Sequence, residues 1–143
     1  FPDASIPVVQ LSINKYLSPK EAYQLGVKLQ SLRDEGYLIM GSGNIVHNLR
    51  RIEWDSPSGT SATIEFDQYI SKAVLVNDID AIVNYTRHPQ ASYAAPTPDH
   101  YLPLIYIMGA SEGAKPTVFN QTYSLGSLSM TGFIFEDEPQ SIL

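Results

Sequence analysis

The residues best suited to chemistry are the three histidines, His47, His88 and His100. The chain has no cysteine, so disulfides, thiolate nucleophiles and Cys-based zinc sites are excluded. An imidazole can ligate a metal or move a proton near neutral pH. His47 follows the small-residue stretch Gly41-Ser42-Gly43-Asn44, and His100 closes Thr97-Pro98-Asp99-His100. The expectation for His100 is a place in the first turn of a helix, where the positive end of the dipole favours neutral imidazole, the form that binds metal. His88 stands beside Pro89 in a loop and has the weakest case, since a lone histidine is usually structural or solvated. Two imidazoles fit an acid/base pair or half of a metal site, and two ligands do not make a stable one.

Other motifs carry less. Gly41-Ser42-Gly43 lacks the third glycine of a dinucleotide fingerprint, because Val46 stands there, and no Gly-Lys-Ser/Thr follows for a P-loop. A tight turn after a strand is the better reading. Ser42 between adjacent glycines does not make the Gly-x-Ser-x-Gly nucleophile elbow. The Asn-x-Thr sequons at Asn84 and Asn120 are read as chance, and Glu136-Asp137-Glu138 as a solvated end.

The elements that must position the histidines follow from pattern. Ile6–Ile13 is β-branched and apolar, as in a strand covered on both faces. Ser18-Pro19-Lys20-Glu21 combines an N-cap, a proline at the first helical position and a capping-box glutamate. Ala22, Leu25, Leu29 and Leu32 continue at helical spacing to a stop at Gly36, and Tyr37–Met40 reads as the next strand. Strand, helix and strand with short connections predict a right-handed crossover and a parallel pair. Helical spacing recurs over Ser61–Val76 and again from Asp78 to Tyr85. A helix with body Tyr101–Met108 is expected to bend at Pro103 and end at Gly109. Two strands near Thr117–Tyr123 and Ser127–Glu136 precede a tail from Asp137. The expected fold class is α/β: a mixed sheet with a parallel β-α-β start, helices on both faces and a C-terminal strand pair. Residues 1–143 are read as a single domain.

Composition narrows the function. An apolar content of 43% over 143 residues supports a real core. A formal charge of −6 without a basic run argues against nucleic acid or an anionic membrane surface as partner. The apolar runs are too short to span a bilayer, and a cytoplasmic location is the expectation. The opening Phe1-Pro2-Asp3, with no initiator Met, reads as interior sequence, so a fragment is expected.

Four segments become specific in combination: Phe1-Pro2-Asp3-Ala4 leading into Ile6–Ile13, Gly41-Ser42-Gly43-Asn44-Ile45-Val46-His47-Asn48, Pro96-Thr97-Pro98-Asp99-His100-Tyr101, and Gly126-Ser127-Leu128-Ser129-Met130. In this order they resemble the class III extradiol ring-cleavage dioxygenases, in their DOPA-dioxygenase-like (LigB-type) branch. The resemblance spans essentially the whole chain and corresponds to the C-terminal half of that family's catalytic subunit. It implies an α/β fold, a non-haem metal, Fe(II) or Zn(II), and O₂-dependent opening of a catechol ring such as that of DOPA. By motif, His47 matches the acid/base position beside the metal, which some family descriptions also count as a ligand. His100 matches the histidine that completes the metal site, Asn44 and Tyr101 are neighbours on position alone, and His88 has no counterpart.

The same resemblance places two metal-binding histidines in an N-terminal half that these residues do not include. A further active-site histidine belongs just upstream of Phe1. His100 and His47 alone do not complete a facial three-ligand site. The implied partners are therefore a catechol-type small molecule, O₂, and the N-terminal half or a partner chain. Asn48-Leu49-Arg50 also departs from the Pro-Ser-Asn of plant pigment-forming relatives, so a plant-type DOPA preference is not implied. The rival reading is a non-catalytic binding or structural domain that kept the scaffold, with an exposed apolar face driving association.

Overall fold

Helix α1 (Pro19–Leu29) starts where its residue types place it. The Ser18 hydroxyl accepts from the Glu21 backbone N–H, and the Glu21 carboxylate accepts from the Ser18 N–H at 2.7 Å, closing the capping box. The Ser18 hydroxyl, which donates to that carboxylate at 2.6 Å, and then the Ser18 N–H hold the Glu21 carboxyl below its usual range. The computed structural model describes residues 2–137. A short α2 (Ser31–Asp34) follows, and Gly36 takes a positive φ of 87° to end the helical region.

The core forms around α3 (Ser61–Leu75) and α6 (Leu102–Ala110). Phe66, Ile70 and Val74 on α3 are fully buried, as are Leu102 and Ile105 on α6. Between them in sequence lie α4 (Ile79–Val83), a 3₁₀ turn at Tyr85–Arg87 and α5 (Ala91–Ala94). Helix α1 packs on α6 at very close range. A Cβ on Gly26 would collide with the Tyr106 carbonyl, and one on Gly109 with the Tyr23 carbonyl. Backbone meets backbone there because neither glycine has a side chain.

Among the described residues, four strands complete the α/β fold, all in antiparallel pairs. β1 (Lys115–Phe119) pairs with β4 (Gly132–Glu136), in register from Lys115 opposite Glu136 to Phe119 opposite Gly132. Nested between them, β2 (Tyr123–Ser124) pairs with β3 (Leu128–Ser129). The expected C-terminal strand pair is thus present, and α3 packs against β1 and β3.

Three expectations need correction. Among the described residues there is no parallel β-α-β start: residues 6–13 and 37–40 run as irregular backbone outside any ladder. A strand needs a partner for its N–H and C=O groups, and none is supplied here, so Val8 and Val9 stay 86% exposed. The helix expected over Tyr101–Met108 begins at Leu102, which puts Pro103 in its first turn. There the missing N–H removes no helical bond, so the sequence reason for a bend disappears. Finally, Gly41 and Gly43 do not take positive φ. Their small size serves close approach, not a turn. Of the expected acidic end and tail, Asp137 pairs with Arg33 at 2.6 Å, and residues 138–143 lie outside the described residues.

Candidate active site

His47 is held by its backbone before its ring does anything. Its N–H donates to the Ala94 carbonyl at 2.9 Å, and the residue bridges to Leu128 on β3. On either side, Ser129 N–H donates to the Val46 carbonyl at 3.1 Å and Asn48 N–H to the Ser127 carbonyl at 3.2 Å. Apolar Ile45 and Val46 are buried, which draws His47 and Asn48 inward with them. The Asn48 amide then donates to the Tyr93 carbonyl at 2.6 Å, and its side-chain oxygen caps the 3₁₀ turn Leu49–Arg51.

The His47 ring faces two carbonyl oxygens. Nδ1 lies 2.9 Å from the Asn44 oxygen and Nε2 lies 3.0 Å from the Thr97 oxygen. A neutral imidazole donates to only one of them, whereas imidazolium would satisfy both. Burial nevertheless dominates and lowers the His47 pKa below its ordinary value, against the upward pull of the two carbonyls; the nearby His100 also lowers it. Near neutral pH the ring is therefore a neutral base with one unprotonated nitrogen.

His100 stands beside it, the ring centroids 5.0 Å apart and the planes tilted by 49°. It precedes α6 instead of lying in its first turn, because the Pro98 carbonyl takes the N–H groups of Tyr101 and Leu102 in a turn of its own. Its side chain is 53% exposed, with Nε2 3.5 Å from the Asp99 carboxylate. The bond from the Thr97 side chain holds the Asp99 carboxyl below the usual range, with smaller help from the nearby imidazoles. Gly43 locks the two histidine segments together. Asn44 N–H donates to the His100 carbonyl at 3.0 Å, and a Cβ on Gly43 would collide with that same oxygen.

A groove of about 560 Å³ opens next to this pair. Its lining includes His100, Asn44, Pro103, Ile107, Phe119 and Phe133, but not His47. The exposed imidazole thus faces an apolar groove, while the buried one lies behind it.

The other sequence candidates separate. His88 packs its ring 4.5 Å from that of Tyr69 and 5.5 Å from that of Phe66, and Nδ1 accepts from the Gln90 N–H. Its role is in the aromatic core. Tyr101 is fully buried, stacked 4.0 Å from Tyr85, and its hydroxyl donates to the Ile82 carbonyl. It faces the core. Asn44 does join the site, through its carbonyl beside His47 and its amide, which donates to the Ser129 carbonyl at 2.7 Å. Asp99 was legible only as part of a helix-start motif, and Thr97 enters through a backbone carbonyl, which no side-chain pattern reveals.

For metal binding, the donor set is partial. Among the described residues no group of three or more His, Cys, Asp or Glu side chains is placed to hold an ion. His100, exposed and imidazole-bearing, fits as one ligand of a larger set. His47 has both ring nitrogens against carbonyl oxygens, so a nitrogen must leave its carbonyl partner before it ligates a metal or takes a proton.

Comparison with known proteins points one way. The family described as the catalytic LigB subunit of aromatic ring-opening dioxygenase matches residues 1–135. The chain is 41% identical over 136 residues to the 4,5-DOPA dioxygenase extradiol of Escherichia coli, covering 91% of this chain and 50% of the relative. It is 32% identical over 137 residues to the enzyme of that name from Beta vulgaris, covering 94% of this chain and 51% of the relative. A crystal structure of an uncharacterized Escherichia coli K12 protein superposes with a TM-score of 0.85 at 38% identity, over 93% of this chain and 57% of that one. The chain spans about half the length of the curated relatives it matches.

Proposed function

The chain belongs to the LigB family of aromatic ring-opening dioxygenase catalytic subunits, and from that premise we propose that it supplies His47 and His100 to an extradiol dioxygenase site. The observation that carries this reading is the pairing of one buried and one exposed imidazole at 5.0 Å. His100 acts as a metal ligand. His47, neutral because it is buried, turns one nitrogen from its carbonyl partner toward the groove, accepts a proton from a catechol hydroxyl and returns it later in the turnover. A bound Fe(II) or Zn(II) would hold the catechol oxygens in place and polarise them. The net reaction breaks one ring carbon–carbon bond beside the diol and places both atoms of O₂ in the product. The substrate is a catechol such as DOPA.

The site is completed from outside these residues, by the N-terminal half of a family-length protein or by a partner chain. Residues 6–13 and 37–40 support this: they are apolar in sequence, and Val8, Val9, Leu38 and Met40 are each more than 80% exposed. Unpaired apolar backbone of this kind is a template for strand pairing. The same exposure favours the rival reading, a non-catalytic domain that associates through this face, and the histidines decide between them. In the assembled protein, His47→Ala should abolish ring opening with metal retained, and His100→Ala should lose the metal. Full metal occupancy in His100→Ala would contradict the ligand assignment. An assembled wild-type protein without metal would favour the binding domain.

A further inference from the structure

A buried carboxylate outside the histidine pair has no role in the chemistry so far. Asp67 lies on α3 with no exposed surface and makes no ion pair among the described residues. Burying an unpaired charge is costly unless donors surround it. Asp67 has three: the Tyr123 hydroxyl at 3.0 Å and the Gln121 amide at 3.2 Å on Oδ2, and the Ser129 hydroxyl on Oδ1.

The Ser129 bond leads to the site. Ser129 sits on β3, and its backbone grips the His47 segment at two points. Its N–H donates to the Val46 carbonyl, and its carbonyl accepts from the Asn44 side-chain amide at 2.7 Å. Asn44 in turn presents its own carbonyl to His47 Nδ1. Only Ser129 and Asn44 stand between the carboxylate and the imidazole. The Tyr123 and Gln121 side-chain bonds end on Asp67; Tyr123 also pairs with Ser129 across the β2–β3 ladder, but through backbone that a change of its hydroxyl leaves in place.

We propose that Asp67 is a positioning residue for His47, acting through Ser129 and Asn44 to fix the imidazole behind the groove. A carboxylate suits the place because every neighbour is a donor. Asparagine would put an NH₂ group against one of them, loosening Ser129 without changing the shape of the core. What His47 then does rests on the dioxygenase reading, but its positioning does not.

The test reads the ring directly. Imidazole ¹⁵N–¹H spectra of the chain report exchange of the His47 ring N–H. In Asp67→Asn and in Ser129→Ala that exchange should quicken by about tenfold, as for the loss of roughly one net hydrogen bond. Tyr123→Phe also removes a bond to Asp67 but keeps the backbone pairing with Ser129, and should leave the exchange within about twofold of wild type. If Asp67→Asn does not fold, Ser129→Ala and Tyr123→Phe carry the comparison. Equal effects from Tyr123→Phe and Ser129→Ala, or no effect from either route variant, would overturn the proposal. In the assembled enzyme, Asp67→Asn should lower kcat while leaving KM nearly unchanged. An assembled wild type that opens no ring removes the dioxygenase reading, while the exchange data still decide the role of Asp67.

Discussion

At the scale of single residues, His47 is set by opposing forces, and their balance has a measurable sign. Burial lowers its pKa from the ordinary 6.5, although two carbonyl oxygens pull it up. The unfolded chain therefore binds this proton more readily than the folded one. The folded state loses stability as pH falls through the ordinary value, and that loss is complete below the folded pKa. Urea midpoints taken at about pH 7.5 and about pH 5.5 should fall more for wild type than for His47→Gln. Equal falls would mean that burial does not dominate at this ring. The Tyr123 hydroxyl shows the converse effect: burial first, then the Asp67 charge and its hydrogen bond, push its pKa up to about 12. It stays protonated and keeps donating to Asp67 at any working pH. Asp67 itself had a signal in the sequence. Thr63, Asp67, Ile70 and Val74 repeat at helical spacing, so an acid lies on the stripe that α3 buries. Reading that stripe for its apolar members alone passed over the carboxylate.

At the scale of elements, local chemistry was legible and partnership was not. The α1 cap is a contract between Ser18 and Glu21, three residues apart, and it forms as its types dictate. Ser18→Ala should lower stability by about 1 kcal/mol, seen as a lower thermal midpoint. The start of α6 misleads because Thr97-Pro98 resembles a cap, yet the Pro98 carbonyl closes a separate turn and the helix waits until Leu102. Residues 6–13 and 37–40 have the composition of strands, but a strand is made by its neighbour, and composition does not reveal whether a neighbour is there. The glycines before His47 were expected to turn the chain, and instead they admit a close approach. Gly43→Ala would drive a Cβ into the His100 carbonyl, whereas Gly41→Ala meets the Ile107 side chain at 2.7 Å and the Pro103 carbonyl at 3.1 Å, a milder clash. Gly43→Ala should therefore destabilise by about 1–3 kcal/mol and the Gly41 variant by less. A reversed order would show that the histidine segments are not joined where the geometry places them.

At the scale of the whole molecule, a well-packed core around α3 and α6 contrasts with an apolar edge left open at residues 6–13 and 37–40. No helix among the described residues is long and apolar enough to cross a membrane. The contrast fits a chain that covers about half of its curated relatives. If the edge receives strands, Val9→Lys should weaken assembly at least about tenfold while leaving the thermal midpoint of the chain unchanged, because Val9 touches little within it. The central claim is that these residues supply His100 as a metal ligand and His47 as an acid/base group to a site finished by another segment. Native mass spectrometry of the chain, before and after pairing with the uncovered half of the family-length protein, tests it most directly. The account predicts no stoichiometric metal on the chain alone, and a one-to-one assembly carrying about one metal ion that opens a catechol ring. A lone chain with a full metal complement and ring-opening activity, or an assembly that binds none, would contradict it.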